Sequence, residues 1–437
     1  MLKEPFSTVW NQARAQYGHP DSFEELKIQL LDADTGLPDD RKEQLCRVDK
    51  LPPPRSALPP SRILLITNLY PPQAFGGYGL LMADFARILA AMGHELHVLT
   101  SNTDYLGKAP SQEKGISRAL KVFGRWENGK TEIFQDERAQ QISRENYFTV
   151  LEYVKSFHPD FCLVGDIGGL SCLVFQPLRD NHIPVIHHLG NAHPGYVPAN
   201  IPTLGPDYTL ATASNWLKAK ILNEGYSLPN IETVYSAGDI SLFYNPLLPQ
   251  FDKLKIIFAG IMQPYKGPQT LLQALLFLKQ NNIDFQCTFA GGTTDDAFLK
   301  GFKEDIKSFG IDKQVTLTGK LGRSELRDRF FEHNILVFPS LVDETFGMSQ
   351  VEAMAAGLVV IGTGSGGAAE VIRHGETGLL FPKGDAQTLT KLLYTLLQNP
   401  QLAMALSRNG QQAARQYFNV EVSTTRLTEI FAKMKTV

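Results

Sequence analysis

Two glutamates eight positions apart carry the strongest chemical signal in the chain. They lie in Phe338-Pro339-Ser340-Leu341-Val342-Asp343-Glu344-Thr345-Phe346-Gly347-Met348-Ser349-Gln350-Val351-Glu352-Ala353-Met354-Ala355-Ala356-Gly357. The spacing expects Glu344 at a strand-to-helix turn and Glu352 about two turns into the helix, near the same face. Val351, Ala353 and Met354 would bury Glu352, and a buried carboxylate needs a partner. It can accept two sugar hydroxyls at once. Glu344, at the helix's amino end, suits both a cap and a ligand anchor.

Other groups point to an anion. Gly260-Ile261-Met262-Gln263-Pro264-Tyr265-Lys266-Gly267 leads from a strand into a helix beginning near Pro268. A lysine at a helix's amino end opposes the dipole, and an anionic ligand resolves the conflict, although a lone lysine is usually a solvated surface charge. Asn68 to Gly79 contains Gly76 and Gly77 just before a helix, where backbone amides can approach an anion or simply make a tight turn. His187-His188-Leu189-Gly190-Asn191-Ala192-His193 follows an apolar run. Adjacent histidines point opposite ways on a strand, so a metal site is disfavoured, and a satisfied structural histidine and a substrate-facing histidine both stay open. Asp295-Asp296 and Asp32-Ala33-Asp34 read as solvated acidic pairs.

A G-x-G-x-x-G pattern, Gly362, Gly364 and Gly367, invites a dinucleotide reading. That fingerprint belongs in the first βα turn of its fold, and this one comes late, after the Glu344/Glu352 pair. It is read as a further amide-lined, phosphate-facing or hinge loop.

These residues sit in loops between short apolar runs and longer amphipathic stretches, an α/β pattern with buried parallel strands. Strands are expected at Arg62 to Thr67, Glu95 to Thr100, Phe161 to Val164, Pro184 to His187, Tyr208 to Ala211 and Thr233 to Tyr235. A second series runs through Lys253 to Gly260, Phe285 to Ala290, Val315 to Thr318, Ile335 to Phe338 and Val359 to Gly362. The reading is two doubly wound sheets with ligands beyond the strands' carboxyl ends. Domains are drawn at 1–60, an arm with a Pro-rich linker; 61–245; 246–415; and 416–437, a terminal helix.

With 437 residues, 42 Lys+Arg, 45 Asp+Glu and a net charge of -3, the chain exceeds one core and lacks a broad field for nucleic acid or a membrane surface. No apolar run approaches a membrane span of about 18 residues, and no signal-peptide core stands at Met1-Leu2-Lys3-Glu4-Pro5. Cys46, Cys162, Cys172 and Cys287 form no CxxC pair. A cytoplasmic protein, monomeric or weakly oligomeric, is expected.

The E-x7-E segment, Gly364 to Glu370 and Gly375-Glu376-Thr377-Gly378-Leu379-Leu380 together resemble family 4 of the retaining GT-B nucleotide-sugar glycosyltransferases, over roughly Arg62 to the carboxyl terminus. The resemblance implies two Rossmann-like domains facing across a cleft, the donor held by the second and the acceptor by the first. By this similarity Glu352 meets the ribose, Glu344 the sugar hydroxyls, Lys266 the diphosphate and Gly77 the phosphates, with Gly76, Phe346, Gly347 and Met348 in the donor site. Lys266, Glu344 and His188 would be catalytic. His187, His188, Asn191 and His193 would face the acceptor, and the helix around Val420 to Met434 would cross back to the first domain. No metal and no cofactor beyond a nucleotide sugar, UDP-glucose foremost, are implied.

Two positions depart from the family pattern. The family's G-R-x4-K-G loop carries an arginine where this chain has Ile261, and Arg323 is the candidate substitute. Leu358 replaces the proline usual after Gly357. Attack by the acceptor hydroxyl on the face the diphosphate leaves, with a phosphate oxygen as base, needs no side-chain nucleophile. His187-His188-Leu189-Gly190 resembles the His-Ser-Leu-Gly stretch of sucrose-phosphate synthases, but His193 and Asn215 stand where that subgroup has basic residues, which makes a sugar-phosphate acceptor a minority reading. A nucleotide-sugar-binding protein with little or no transfer, a nucleotide-sugar epimerase and a dehydrogenase are the competing functions.

Overall fold

The computed structural model describes residues 54–434 except 75, 111–112, 128–129, 135–136 and 202–204. Most of the expected arm at 1–60, with Asp32, Asp34 and Cys46, lies outside the described residues. Those described form two compact units, 54–238 with 418–434, and 239–417.

The first unit is built on strands β1 (Arg62–Thr67), β2 (Glu95–Ser101), β3 (Ile116–Leu120), β6 (Phe161–Val164), β7 (Val185–Leu189), β8 (Tyr208–Thr212) and β9 (Ile231–Thr233), while β4 (Gly124–Glu127) and β5 (Lys130–Ile133) make a separate antiparallel hairpin. The seven strands run parallel in the order β3-β2-β1-β6-β7-β8-β9. Ile63, Leu64, Leu65 and Ile66 are fully buried, as a strand covered on both faces requires. Helices α1 (Tyr78–Ala91), α2 (Glu137–Phe157), α3 (Phe175–Asp180) and α4 (Asn215–Asn223) connect these strands. Leu81, Met82, Phe85, Ile88 and Leu89 give α1 its buried stripe at helical spacing.

The second unit opens with α5 (Ile240–Phe243) and has β10 (Leu254–Ala259), α6 (Pro268–Gln280), β11 (Phe285–Ala290), α7 (Asp296–Ser308), β12 (Val315–Gly319) and α8 (Arg323–Glu332). It continues with β13 (Ile335–Phe338), α9 (Met348–Ala355), β14 (Val359–Gly362), β15 (Leu379–Leu380), α10 (Ala386–Gln398) and α11 (Pro400–Tyr417). Its six parallel strands lie in the order β12-β11-β10-β13-β14-β15. Asp295 caps α7 by accepting from the Phe298 amide at 2.9 Å, which explains that acidic pair without a metal. Phe298, Phe302 and Ile306 then face the core four positions apart.

The last helix, α12 (Val420–Met434), packs on α1 and β7 of the first unit, with the Phe431 and Phe161 rings 4.7 Å apart. No helix of the described residues is long and apolar enough to cross a membrane.

Candidate active site

In each sheet the chain winds one way and then returns to the other side of its first strand. The reversal lies between β1 and β6 in one unit and between β10 and β13 in the other. Loops beyond the carboxyl ends of such a strand pair part around a ligand.

In the second unit those loops bring Lys266 and Glu344 together across 78 positions. Lys266 Nζ donates to Glu344 Oε1 at 2.7 Å and Oε2 at 2.9 Å, and Ser340 Oγ donates to Oε1 at 2.6 Å. Lys266 ends a 3-10 turn, Pro264–Lys266, and Gly267 in the left-handed region starts α6. A Cβ at Gly267 would lie 1.9 Å from the Pro339 carbonyl oxygen, so the two loops touch only because that residue is glycine. The anion expected at Lys266 is supplied within the chain by Glu344.

Glu344 lies at the strand-to-helix turn, as expected, but not on the face of Glu352. Helix α9 begins at Met348 with Gly347 as its capping residue, so Glu344 is in the preceding loop and shares no helix face with Glu352. Glu352 sits in the second turn of a short helix, 7% exposed, and its partner is Arg323, Nη2 to Oε1 at 3.6 Å. Arg323 stands at the first residue of α8, beyond edge strand β12. Phe346 is only 2% exposed and offers the site no ring surface, while Gly347 and Met348 are half-buried at the start of α9.

The late glycine pattern does structural work on Glu344. The Gly367 amide donates to the Glu344 carbonyl at 2.7 Å, and Glu344 pairs with Gly366 in an isolated bridge. A Cβ at Gly366 would lie 2.4 Å from that carbonyl oxygen. A 3-10 turn, Gly367–Glu370, follows in place of the long helix a dinucleotide loop opens into.

In the first unit His188 is fully buried, with Nε2 donating to the Val234 carbonyl at 3.0 Å and Nδ1 3.1 Å from the Tyr78 hydroxyl. Burial pushes its pKa down to about 4, so the ring is neutral, and the Tyr78 hydroxyl donates to the His188 carbonyl at 2.5 Å. Tyr78 stacks on it, and a Cβ at Gly190 would fall 2.1 Å from the Tyr78 ring. His187 points to the other face, among Phe175, Tyr196 and Tyr208, with Nδ1 2.9 Å from the Tyr208 hydroxyl. Burial lowers its pKa to about 3. His187 was expected to face the acceptor, and its ring is instead a buried core group packed among aromatic side chains. Of the remaining residues, His193 is exposed and 3.8 Å from Glu224, and Gly76 and Gly77 are exposed at the open amino end of α1.

Asp166 was not anticipated. It follows β6 and accepts from the Gly168 amide at 2.8 Å, Asn68 at 3.1 Å and Asn191 at 2.5 Å, joining the loops after β1, β6 and β7. Burial raises its pKa, partly offset by these bonds. Its sequence signal is a lone carboxylate two residues beyond a wholly apolar strand, beside Gly168 and Gly169.

The family model for group 1 glycosyl transferases matches residues 245–413, which hold the Lys266–Glu344 and Arg323–Glu352 pairs. The match takes in most of the second unit. The D-inositol 3-phosphate glycosyltransferase of Streptomyces coelicolor is 33% identical over 174 residues, 38% of this chain and 37% of that protein. The phosphatidyl-myo-inositol mannosyltransferase of Mycobacterium leprae is 26% identical over 210 residues, 47% of this chain and 53% of that protein. The chain thus spans about a third to a half of the length of these curated relatives. Among solved structures, sucrose-phosphate synthase from Thermosynechococcus elongatus superposes with a TM-score of 0.68 at 20% identity, covering 86% of this chain and 99% of that one. Anabaena HepE in complex with UDP and glucose gives 0.64 at 17% identity, covering 85% and 100%. At such identities the likeness shows the fold, which is GT-B. Within the matched residues, both carboxylates of the E-x7-E segment face a cation.

Proposed function

We propose that the chain is a retaining glycosyltransferase that moves a hexose from a nucleotide sugar, UDP-glucose foremost, to a hydroxyl acceptor. The observation that carries this reading is the Lys266–Glu344 pair at the strand reversal of the unit that the group 1 family model matches. A nucleotide sugar offers that pair a diphosphate for the cation and sugar hydroxyls for the carboxylate.

The reaction breaks the bond between the anomeric carbon and a diphosphate oxygen and forms one from that carbon to the acceptor oxygen. The acceptor's proton passes to the departing phosphate oxygen. Positive charge builds on the sugar and negative charge on the diphosphate, so a cation held at the leaving group lowers the barrier. Lys266 takes that role, Glu344 orients the sugar and Glu352 takes the ribose hydroxyls. His188, neutral and held by Tyr78 and Val234, supports the acceptor side from beneath the loop at Gly190 and Asn191. Metal-independent turnover in the cytoplasm, with no cofactor besides the nucleotide sugar, belongs to the same proposal.

Ile261 favours one second reading, a nucleotide-sugar binder with little transfer, because Arg323, the candidate replacement cation, is held toward Glu352. Hydrolysis of UDP-, GDP- and ADP-sugars without acceptor separates the two. Slow release of sugar from one donor class, lost in Lys266→Ala, supports transfer. Donor binding with no release under any condition supports the binder.

A further inference from the structure

A cavity of about 420 Å³ in the first unit lies beyond the carboxyl ends of β1 and β2 and against β3, within the size range of small-molecule sites, about 300–1,000 Å³. Gln73, Asn102, Asp104, Lys108, Glu113 and Arg118 line it. We propose that this cavity binds a neutral, polyhydroxylated ligand, a free sugar or polyol, and discriminates against its phosphate ester.

Arg118 is already committed to the protein. A guanidinium has five N–H donors, and all five are engaged here. Nε donates to Glu113 Oε2 at 2.6 Å and Nη2 to Oε1 at 3.0 Å. The other three go to the carbonyls of Tyr70 at 3.1 Å and Pro71 at 2.6 Å and to Gln73 Oε1 at 3.4 Å. The pair is nearly enclosed, its side chains 8% and 13% exposed. Arg118 therefore holds the loop after β1 in shape and has no donor left for a phosphate. Gln73 is also spent, its amide donating to Asn102 Oδ1 at 2.9 Å and the Gly107 carbonyl at 3.0 Å while its oxygen accepts from the Thr103 amide at 3.0 Å.

The groups left to meet a ligand are the exposed Asp104 carboxylate, the spare lone pairs of Glu113, the exposed Lys108 ammonium and the Asn102 amide nitrogen. Two cations and two carboxylates line the cavity, so its charge closes to zero before anything binds. A phosphate dianion would face Asp104 and Glu113 with only Lys108 to receive it, an uncompensated repulsion. Sugar hydroxyls suit the set well, donating to the carboxylates and accepting from Lys108 and Asn102.

As a binding site this stands on its own, and as the acceptor site it rests on the transferase reading above. The test titrates the full chain, without nucleotide sugar, with myo-inositol and D-fructose and with inositol 3-phosphate and fructose 6-phosphate, followed by saturation-transfer NMR and calorimetry. At least one neutral compound should bind roughly tenfold or more tightly than its phosphate. Asp104→Lys, at an exposed position, should narrow or invert that ratio, and Asn102→Ala should weaken the neutral ligand. Tighter binding of a phosphate by the unaltered chain, binding of neither class, or ratios indifferent to both substitutions would overturn the proposal. Donor hydrolysis is scored separately, so its absence alongside retained sugar binding counts against the transferase reading alone.

Discussion

In the proposed transferase, Lys266 would carry more of the leaving-group chemistry than it would beside an arginine, because position 261 is isoleucine and Arg323 is turned toward Glu352. Lys266→Ala should therefore lower kcat by roughly 10²–10³, the range for loss of one preorganised group at developing charge, with a smaller change in donor binding. Glu352→Ala should act mainly through donor KM and should also leave Arg323 without that carboxylate. Intact turnover in both variants, measured with the donor found by hydrolysis screening, would remove the site assignment. His187 makes a different prediction. Its folded pKa, about 3, lies below the ordinary 6.5, so the folded state favours the neutral ring. That stability is fully present above pH 6.5 and is lost as pH falls toward the folded value, at up to about 1.4 kcal/mol per pH unit. Urea unfolding of the first unit between pH 7 and 4.5 should fall off less steeply in His187→Phe than in the unaltered chain. Equal slopes would show that the ring does not drive the acid loss.

Whole strands were legible because a buried parallel strand reads as an unbroken apolar run, and Arg62 to Thr67 and Ile335 to Phe338 are found where the sequence expects them. Edge strand β3 was not, since the adjacent polar pair Ser117-Arg118 breaks its apolar run and Arg118 lines a cavity. The two-residue β15 is too short for any periodicity. At the site, residue types were legible and partners were not: Glu344 and Lys266 stand 78 positions apart, and no local pattern joins them. Glu344 and Glu352 share no helix face because Gly347 delays α9 until Met348. The glycines that allow these close approaches can be tested against one another. Gly267→Ala adds a 1.9 Å contact to a backbone at φ 70°, whereas Gly310→Ala adds only unfavourable φ at 63°, with nothing within 4 Å. Gly310→Ala should cost about 1–2 kcal/mol. Gly267→Ala should cost distinctly more and loosen the Lys266–Glu344 contact, read as lost donor hydrolysis at a temperature where the chain remains folded. Equal costs would mean that the loops can part freely.

At the scale of the molecule, the chain has a net charge of -3 and no general positive field, and its candidate sites divide their charges into local pairs. In the second unit, Lys266–Glu344 and Arg323–Glu352 couple a cation to a carboxylate, so a ligand carrying both phosphates and hydroxyls can engage both kinds of group. In the first unit, Arg118 is spent on Glu113 and on the loop after β1, which under the proposed sugar site leaves hydroxyl recognition in place of phosphate recognition. Each unit should therefore be protected by its own ligand. UDP at 100 times its Kd should stabilise the chain by about 2.7 kcal/mol if it binds only the folded state. Under that load hydrogen exchange should slow in Gly260–Gly267 and Pro339–Gly347 of the second unit. A neutral sugar should slow exchange around Asn102–Arg118 instead, and a nicotinamide dinucleotide should do neither. Protection of Asn102–Arg118 by UDP alone would reverse the division of labour, since the diphosphate would then be held where the charges cancel and Lys266 would have to be assigned to structure.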